Sequence, residues 1–275
     1  GEVVTKALYE QYLPAGPDSP VPSTLPGAVL SLADKADTLA GCFGLKKVPT
    51  GANDPYALRR AALGICRIVF EHDLRLDLRG LLANALDGYT NVKWKLEPAE
   101  ALDALMEFFS GRLRALFTAR GHATRVVDAA LGAGFDDLRN LRGRLLALDA
   151  FSAEEGFEQA VLTFKRAANI IRKQGAESGV DLAGNYDADL FEEAAERELA
   201  EALEAAAPRF EELWEAEDFH GLFGLLAELR PRVDAFFDDV MVMCEDAGLR
   251  ANRLRLLGAL VDRLGRLADF DALQV

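Results

Sequence analysis

Apolar positions recur every three to four residues over most of this chain, and no stretch alternates regularly enough to predict a strand. The periodicity predicts a helix running to about Tyr12 and a second over AVLSLADKADTLAGCF, ending near Gly44. Between them, Pro14, Gly16, Pro17, Pro20, Pro22, Pro26 and Gly27 enforce a long non-helical connection. Beyond the loop KKVPTGAND, Asp54 is the expected N-cap and Pro55 the expected first residue of the helix PYALRRAALGICRIVFEH. Its apolar stripe comprises Ala57, Leu58, Ala61, Ala62, Ile65, Ile68 and Val69. A short helix near Leu78 to Leu86 leads into DGYTNVKWKLEP, the best candidate for a domain boundary.

After Pro98 the predicted helices lengthen: ALDALMEFFSGRLRALFTAR, TRVVDAALG, FDDLRNLRGRLLALDAF and EEGFEQAVLTFKRAANIIRKQ. GAESGVDLAGNYD breaks the pattern. An acidic helix is expected from Asp187 or Asp189, ending before Pro208, and Pro231 is expected to kink or restart the helix that contains it. The last helix is expected over about Leu249 to Leu267. The predicted class is all-α, with helices packed antiparallel through short connections.

Charge narrows the possible partners. The chain of 275 residues carries 45 acidic and 31 basic side chains, for a net charge of −14. The stretch 181–246 alone holds 20 acids and 4 bases. A uniformly basic nucleic-acid binder is excluded, while a restricted cationic face on a body that repels polyanions is not. The three cysteines (Cys42, Cys66, Cys244) form no CxxC pair and read as buried core residues of a protein in a reducing cytoplasm. No apolar run reaches the ~18 residues of a membrane span. The opening GEVVTKALYE reads as mid-helix without a signal peptide, as expected of a piece of something longer.

Two helical stretches concentrate the chemistry. In FKRAANIIRK, Arg166, Asn169 and Lys173 form an i, i+3, i+7 row, and Lys165, Asn169 and Arg172 form a second that overlaps it. Phe164, Ala167, Ala168 and Ile171 point the other way. In the last helix, Arg250 and Arg253 are neighbours, Asn252 flanks them, and Arg255 follows. An amide among cations suits contacts to bases and phosphates together. The competing readings are a solvated face for the first row and a structural salt-bridge cluster for the arginines, with Glu245 and Asp246 as helix-end partners. Arg60 and Arg67 share a face seven residues apart and either grip phosphates or pair with nearby acids, whereas Arg59 is offset by about 100°. Trp94, Trp214, Phe236 and Phe237 read as core rather than stacking platforms. Asp34 and Asp37 lie on one helix face, yet no histidine sits at ligand spacing from them, so capping or pairing with Lys35 is the expectation. No nucleophile elbow, P-loop or HExxH motif occurs. No catalytic and no metal-binding residues are expected.

The runs SLADKADTLAGCFG, DPYALRRAALGICRIV, FKRAANI and FFDDVMVMCEDAGLRANRLRLL, in this order, closely resemble the beta subunit of bacterial tetrameric glycyl-tRNA synthetase, in its C-terminal part. The resemblance implies that residues 1–90 are the end of an HD-like helical domain. It further implies that 91–275 form a helical tRNA-binding region, closed from about residue 150 by a DALR-type anticodon-binding bundle. It assigns tRNA contacts to Lys165, Arg166 and Asn169 through the KR-xx-N motif, and to Arg250, Asn252 and Arg253 through LR-x-NRL. It implies glycine tRNA and an alpha subunit as partners in an α2β2 assembly, with glycine, ATP and magnesium used at the alpha subunit and no cofactor in this stretch. The alternatives are a helical protein-interaction module and an HD-type metal phosphohydrolase.

Overall fold

The computed structural model describes residues 1–16, 18–175, 181–182 and 184–273. Among them lie eleven α-helices and no strand, so the chain is all-α. It divides into two compact units, residues 1–122 with 135–142, and residues 123–134 with 143–275.

The first unit is built around α2 (Leu25–Gly44), which packs against α1 (Glu2–Glu10), α3 (Leu58–Glu71), α4 (Leu78–Asp87) and α5 (Pro98–Ala119). The Thr24 hydroxyl accepts the Gly27 N–H at the start of α2, and Pro26 falls in its first turn, where no intrahelical donor is required. Leu39, Ile65, Val69, Leu82, Phe109 and Leu113 are fully buried in this core. Helix α3 begins at Leu58, three residues later than expected from Pro55. Asp54 still caps it: its carboxylate accepts the Leu58 and Arg59 N–H groups at 2.8 and 3.0 Å, while Pro55 to Ala57 loop out and Ala57 takes a left-handed φ of 54°.

The boundary expected near residue 90 is not a break between compact units. DGYTNVKWKLEP folds back on α2. The Lys95 and Leu96 N–H groups donate to Gly44 O at 2.9 and 3.2 Å, and the Tyr89 hydroxyl donates to Asp37 O at 2.9 Å. Helix α5 therefore completes the first core. Residues 135–142 return to the same unit, where Arg142 donates to Phe70 O and pairs with Asp73 at 2.7 Å.

The second unit holds α6 (Thr124–Gly132), most of α7 (Leu138–Phe151), α8 (Phe157–Asn169), α9 (Ala194–Glu215), α10 (Phe219–Asp239) and α11 (Ala247–Leu267). Phe164, Phe210, Phe223, Phe236, Leu257 and Leu260 lie at its centre. Pro208, before which the acidic helix was expected to end, sits inside α9, and Pro231 sits inside α10, which runs on through it without restarting. Each removes one N–H from the ladder, and the extensive packing of α9 against α10 sustains the helices through that loss. The acidic helix starts at Ala194, behind a capping box in which Glu193 and Glu196 satisfy each other's backbone donors.

One buried cation has no counterpart in the sequence reading. Arg144, 3 % exposed, donates to Ala130 O at 2.9 Å, Leu267 O at 3.0 Å and Gly134 O. It thus satisfies carbonyls at the C-terminal ends of α6 and α11, where the helix dipole favours a cation.

Of the three cysteines, Cys66 is buried, and burial pushes its thiol up to about 12. Cys42 and Cys244 are only half-buried.

Candidate functional site

Helix α8 starts at Gly156, whose φ of 89° favours glycine, and buries Phe157, Ala160, Val161, Phe164 and Ala167. The opposite side carries Arg166 and Asn169. The helix then widens into a π turn over Ile170–Gly175, which carries Lys173 and Gln174 on from the same side. The Thr163 hydroxyl donates to Asp234 Oδ1 at 2.5 Å and fixes α8 against α10.

Facing this row is the end of α10 and the segment that follows it. Val240 leaves the helix with extended backbone. From there the chain alternates: Val240 and Val242 are buried, while Met241 and Met243 are 74 % and 39 % exposed. Between the two walls lies a groove of about 790 Å³. Arg166, Asn169, Lys173 and Gln174 line one side; Asp238, Asp239, Met241 and Met243 line the other. The Arg166 guanidinium carbon lies 4.3 Å from the centre of the Phe237 ring, a cation–π contact that leaves its N–H groups without a hydrogen-bond acceptor among the described residues. Arg166, Lys173, Asp238 and Asp239 have no hydrogen-bond or ion-pair partner among the described residues. The groove therefore offers donors on one wall, carboxylate acceptors on the other, and thioether surface beside them.

The six residues assigned to tRNA in the sequence separate into two sets. Arg166 and Asn169 line the groove. Lys165 does not: its ammonium donates to Leu273 O at 2.9 Å and holds the C-terminal segment to α8. Arg172 has a similar job, pairing with Asp271 and with Asn169 Oδ1.

The three residues from the last helix are engaged within the chain, and two of them, Asn252 and Arg253, are buried. Asn252 is fully buried, accepting Asp187 N–H at 2.7 Å and donating to Asp187 O at 2.8 Å. Arg253, 4 % exposed, pairs with the buried carboxylate of Glu196 through Nε at 2.8 Å and Nη2 at 3.3 Å, and donates to Met241 O at 3.1 Å. Arg250 is half-buried and donates to Cys244 O at 2.8 Å and Glu245 O at 3.3 Å. Arg253 faces inward because a guanidinium can satisfy a backbone carbonyl and a carboxylate at once. It holds Met241 of the far wall and the start of α9, Arg250 holds residues 244–245 just beyond that wall, and Asn252 holds Asp187. The salt-bridge reading of the arginines is the one the structure bears out for Arg253, with Glu196 as partner in place of Glu245 or Asp246.

Glu196 reflects this setting. Burial pushes its carboxyl up, but the Arg253 guanidinium and the N–H groups of Glu192 and Glu193 outweigh burial and hold it below the usual carboxylate range. Phe237 is core, as expected, but its ring face also serves the groove through Arg166. The far wall was missed in the sequence; the signal was the short Val-Met-Val-Met alternation at 240–243. Among the described residues, no group of three or more His, Cys, Asp or Glu is placed to hold a metal ion, and no helix is long and apolar enough to cross a membrane.

Two family models match the chain. Residues 1–132 match the glycyl-tRNA synthetase beta subunit, and residues 161–267 match the DALR anticodon binding domain, which includes both walls of the groove. The glycine–tRNA ligase beta subunit of Oleidesulfovibrio alaskensis is 63% identical over 274 residues, covering 100% of this chain and 39% of the relative. That of Solidesulfovibrio magneticus is 61% identical over the same shares. The one from Lawsonia intracellularis is 44% identical, again across 100% of this chain and 39% of the relative. The chain thus spans about two fifths of the length of these curated relatives.

Proposed function

The chain belongs to the glycyl-tRNA synthetase beta-subunit family, and from that premise we propose that its second unit binds the anticodon stem-loop of glycine tRNA in the groove between α8 and residues 238–243. The observation that carries this is the unpaired Arg166 and Lys173 on one wall of a groove that lies within the DALR match. Unpaired loop bases expose the edges that side chains read. Arg166 and Lys173 take phosphates, while Asn169 and Gln174 reach base edges. Asp238 and Asp239 accept from exocyclic base amines, the pairing by which carboxylates recognise cytosine. The same carboxylates, with the acidic stretch 181–246, disfavour nonspecific polyanion binding.

In this reading the chain contributes recognition, not chemistry, to ATP-dependent ligation of glycine to its tRNA. The aminoacyl-adenylate step, with its magnesium, belongs to an alpha subunit joined in an α2β2 assembly in the cytoplasm.

Binding of glycine tRNA and an unrelated tRNA, compared by electrophoretic shift, tests the proposal. Arg166→Ala with Lys173→Ala should weaken glycine tRNA binding at least tenfold and lower the slope of log affinity against log salt by about one per lost phosphate contact. Unchanged affinity and slope in a folded variant would refute it.

A further inference from the structure

The first unit carries a cationic, aromatic face that the groove does not explain. Arg60 and Arg67 share a face of α3, and their fates differ. Arg67 bonds Glu71 at 2.8 Å and Gly16 O at 3.1 Å. Arg59, off that face, donates to Gly51 O at 2.7 Å. Arg60 is exposed without a partner among the described residues, and so is Arg120 at the end of α5. Arg60, Arg67 and Arg120 rim one hollow of about 340 Å³, whose walls are the apolar Pro14, Leu63 and Leu116. Gly64 also lines this hollow, and its lack of a Cβ makes room for the Lys35 chain, which a Cβ would meet at 2.7 Å.

A second hollow of about 390 Å³ adjoins the first, sharing Pro14 and Arg60. Tyr12 and Tyr56, 66 % and 48 % exposed, line it. Lys47 Nζ sits 5.4 Å from the centre of the Tyr56 ring and adds a cation. Lys35 also borders it, with its ammonium turned inward to Leu13 O and Ser31 Oγ. Asp34 is the carboxylate of this lining. Two hollows thus lie in file, each large enough for a nucleotide, with an unpaired arginine at their junction, cations at the outer rim and aromatic rings alongside. Cations interleaved with aromatic faces are what a single strand needs, because phosphates repeat along it and each base offers a face to stack.

We propose that this face of the first unit is a track for an unpaired RNA strand, with Tyr56 and Tyr12 stacking bases and Arg60 and Arg120 holding phosphates. The track stands independently of the groove in the second unit.

The test uses the 275-residue chain carrying Arg166→Ala and Lys173→Ala, which silences the groove. Its probe is a fluorescent oligouridylate of about eight nucleotides, the length scale of single-strand sites. Adding Arg60→Ala and Arg120→Ala should weaken binding about tenfold or more, and lower the salt slope by about 1.4, from about 0.7 per single-strand phosphate. Tyr56→Ala should cost about fivefold or more. All three side chains are exposed, so the thermal midpoint should stay with the parent. Photocrosslinks from 4-thiouridine should map to the Tyr12 and Tyr56 segments. A loss below about twofold, crosslinks confined to other segments, or competition by AMP or inorganic phosphate as strong as by the oligonucleotide would each overturn the track.

Discussion

Removing the Glu196 carboxylate should destabilise the second unit more than removing its partner. Glu196 accepts from Arg253 Nε and Nη2 and from the N–H groups of Glu192 and Glu193, at 2.8 to 3.3 Å. Glu196→Ala deletes all four bonds and strands a guanidinium that is 4 % exposed. Breaking a buried pair in this way costs about 3–5 kcal/mol. At roughly 2–4 °C per kcal/mol for a domain of this size, the midpoint should fall by roughly 6–20 °C. Arg253→Met leaves the carboxylate with its two backbone donors, so its cost should be smaller, about 1.5–3 kcal/mol. Thermal unfolding followed by circular dichroism ranks the two.

Acid removes the contribution of Glu196 in a defined direction. Its folded value lies below the ordinary 4.5, so the stabilisation is present in full above 4.5 and lost as pH falls through the folded value. The gap between parent and Glu196→Ala should therefore be constant near neutrality and close on acidification below 4.5. Below their unfolding temperatures, both variants should keep the parent's salt slope for RNA binding. A reversed order of stability, or an Arg253→Met protein that stays stable but loses a full unit of salt slope, would refute the structural assignment of Arg253.

Other outcomes follow from neighbouring contacts. Arg209→Ala and Arg232→Ala, which pair with Glu228 and Glu198 on the surface, should leave tRNA affinity within about twofold while Arg166→Ala does not. Asn252→Leu strands the N–H and C=O of Asp187; stability should fall by about 1–3 kcal/mol, and amide exchange at Asp187 should accelerate. Asp54→Ala should cost about 1 kcal/mol in the first unit by freeing two donors of α3, measured by denaturant unfolding.

Helical periodicity carried much of the fold, since the spacing of apolar residues sets which side of a helix is buried. TRVVDAALG is helical from its first residue to its last, and the final helix begins two residues before the expected Leu249. The row Arg166, Asn169, Lys173 was equally legible, because residues three and seven apart share a helix side wherever the helix ends up. Pro208 misled because the local cost of a proline is real, and only packing with another helix overrides it.

Tertiary structure decided what each polar side meets. The partner of Arg253 lies 57 positions away and that of Asn252 lies 65 away, so spacing along one helix could not tell a guanidinium facing solvent from one facing a carboxylate. The class, the helices and one wall of the groove are local properties of the chain. The opposite wall, and the inward turn of Arg253 that holds Met241 within it, depend on which distant backbone carbonyls and carboxylates arrive beside them, which only the packing of α9, α10 and α11 determines.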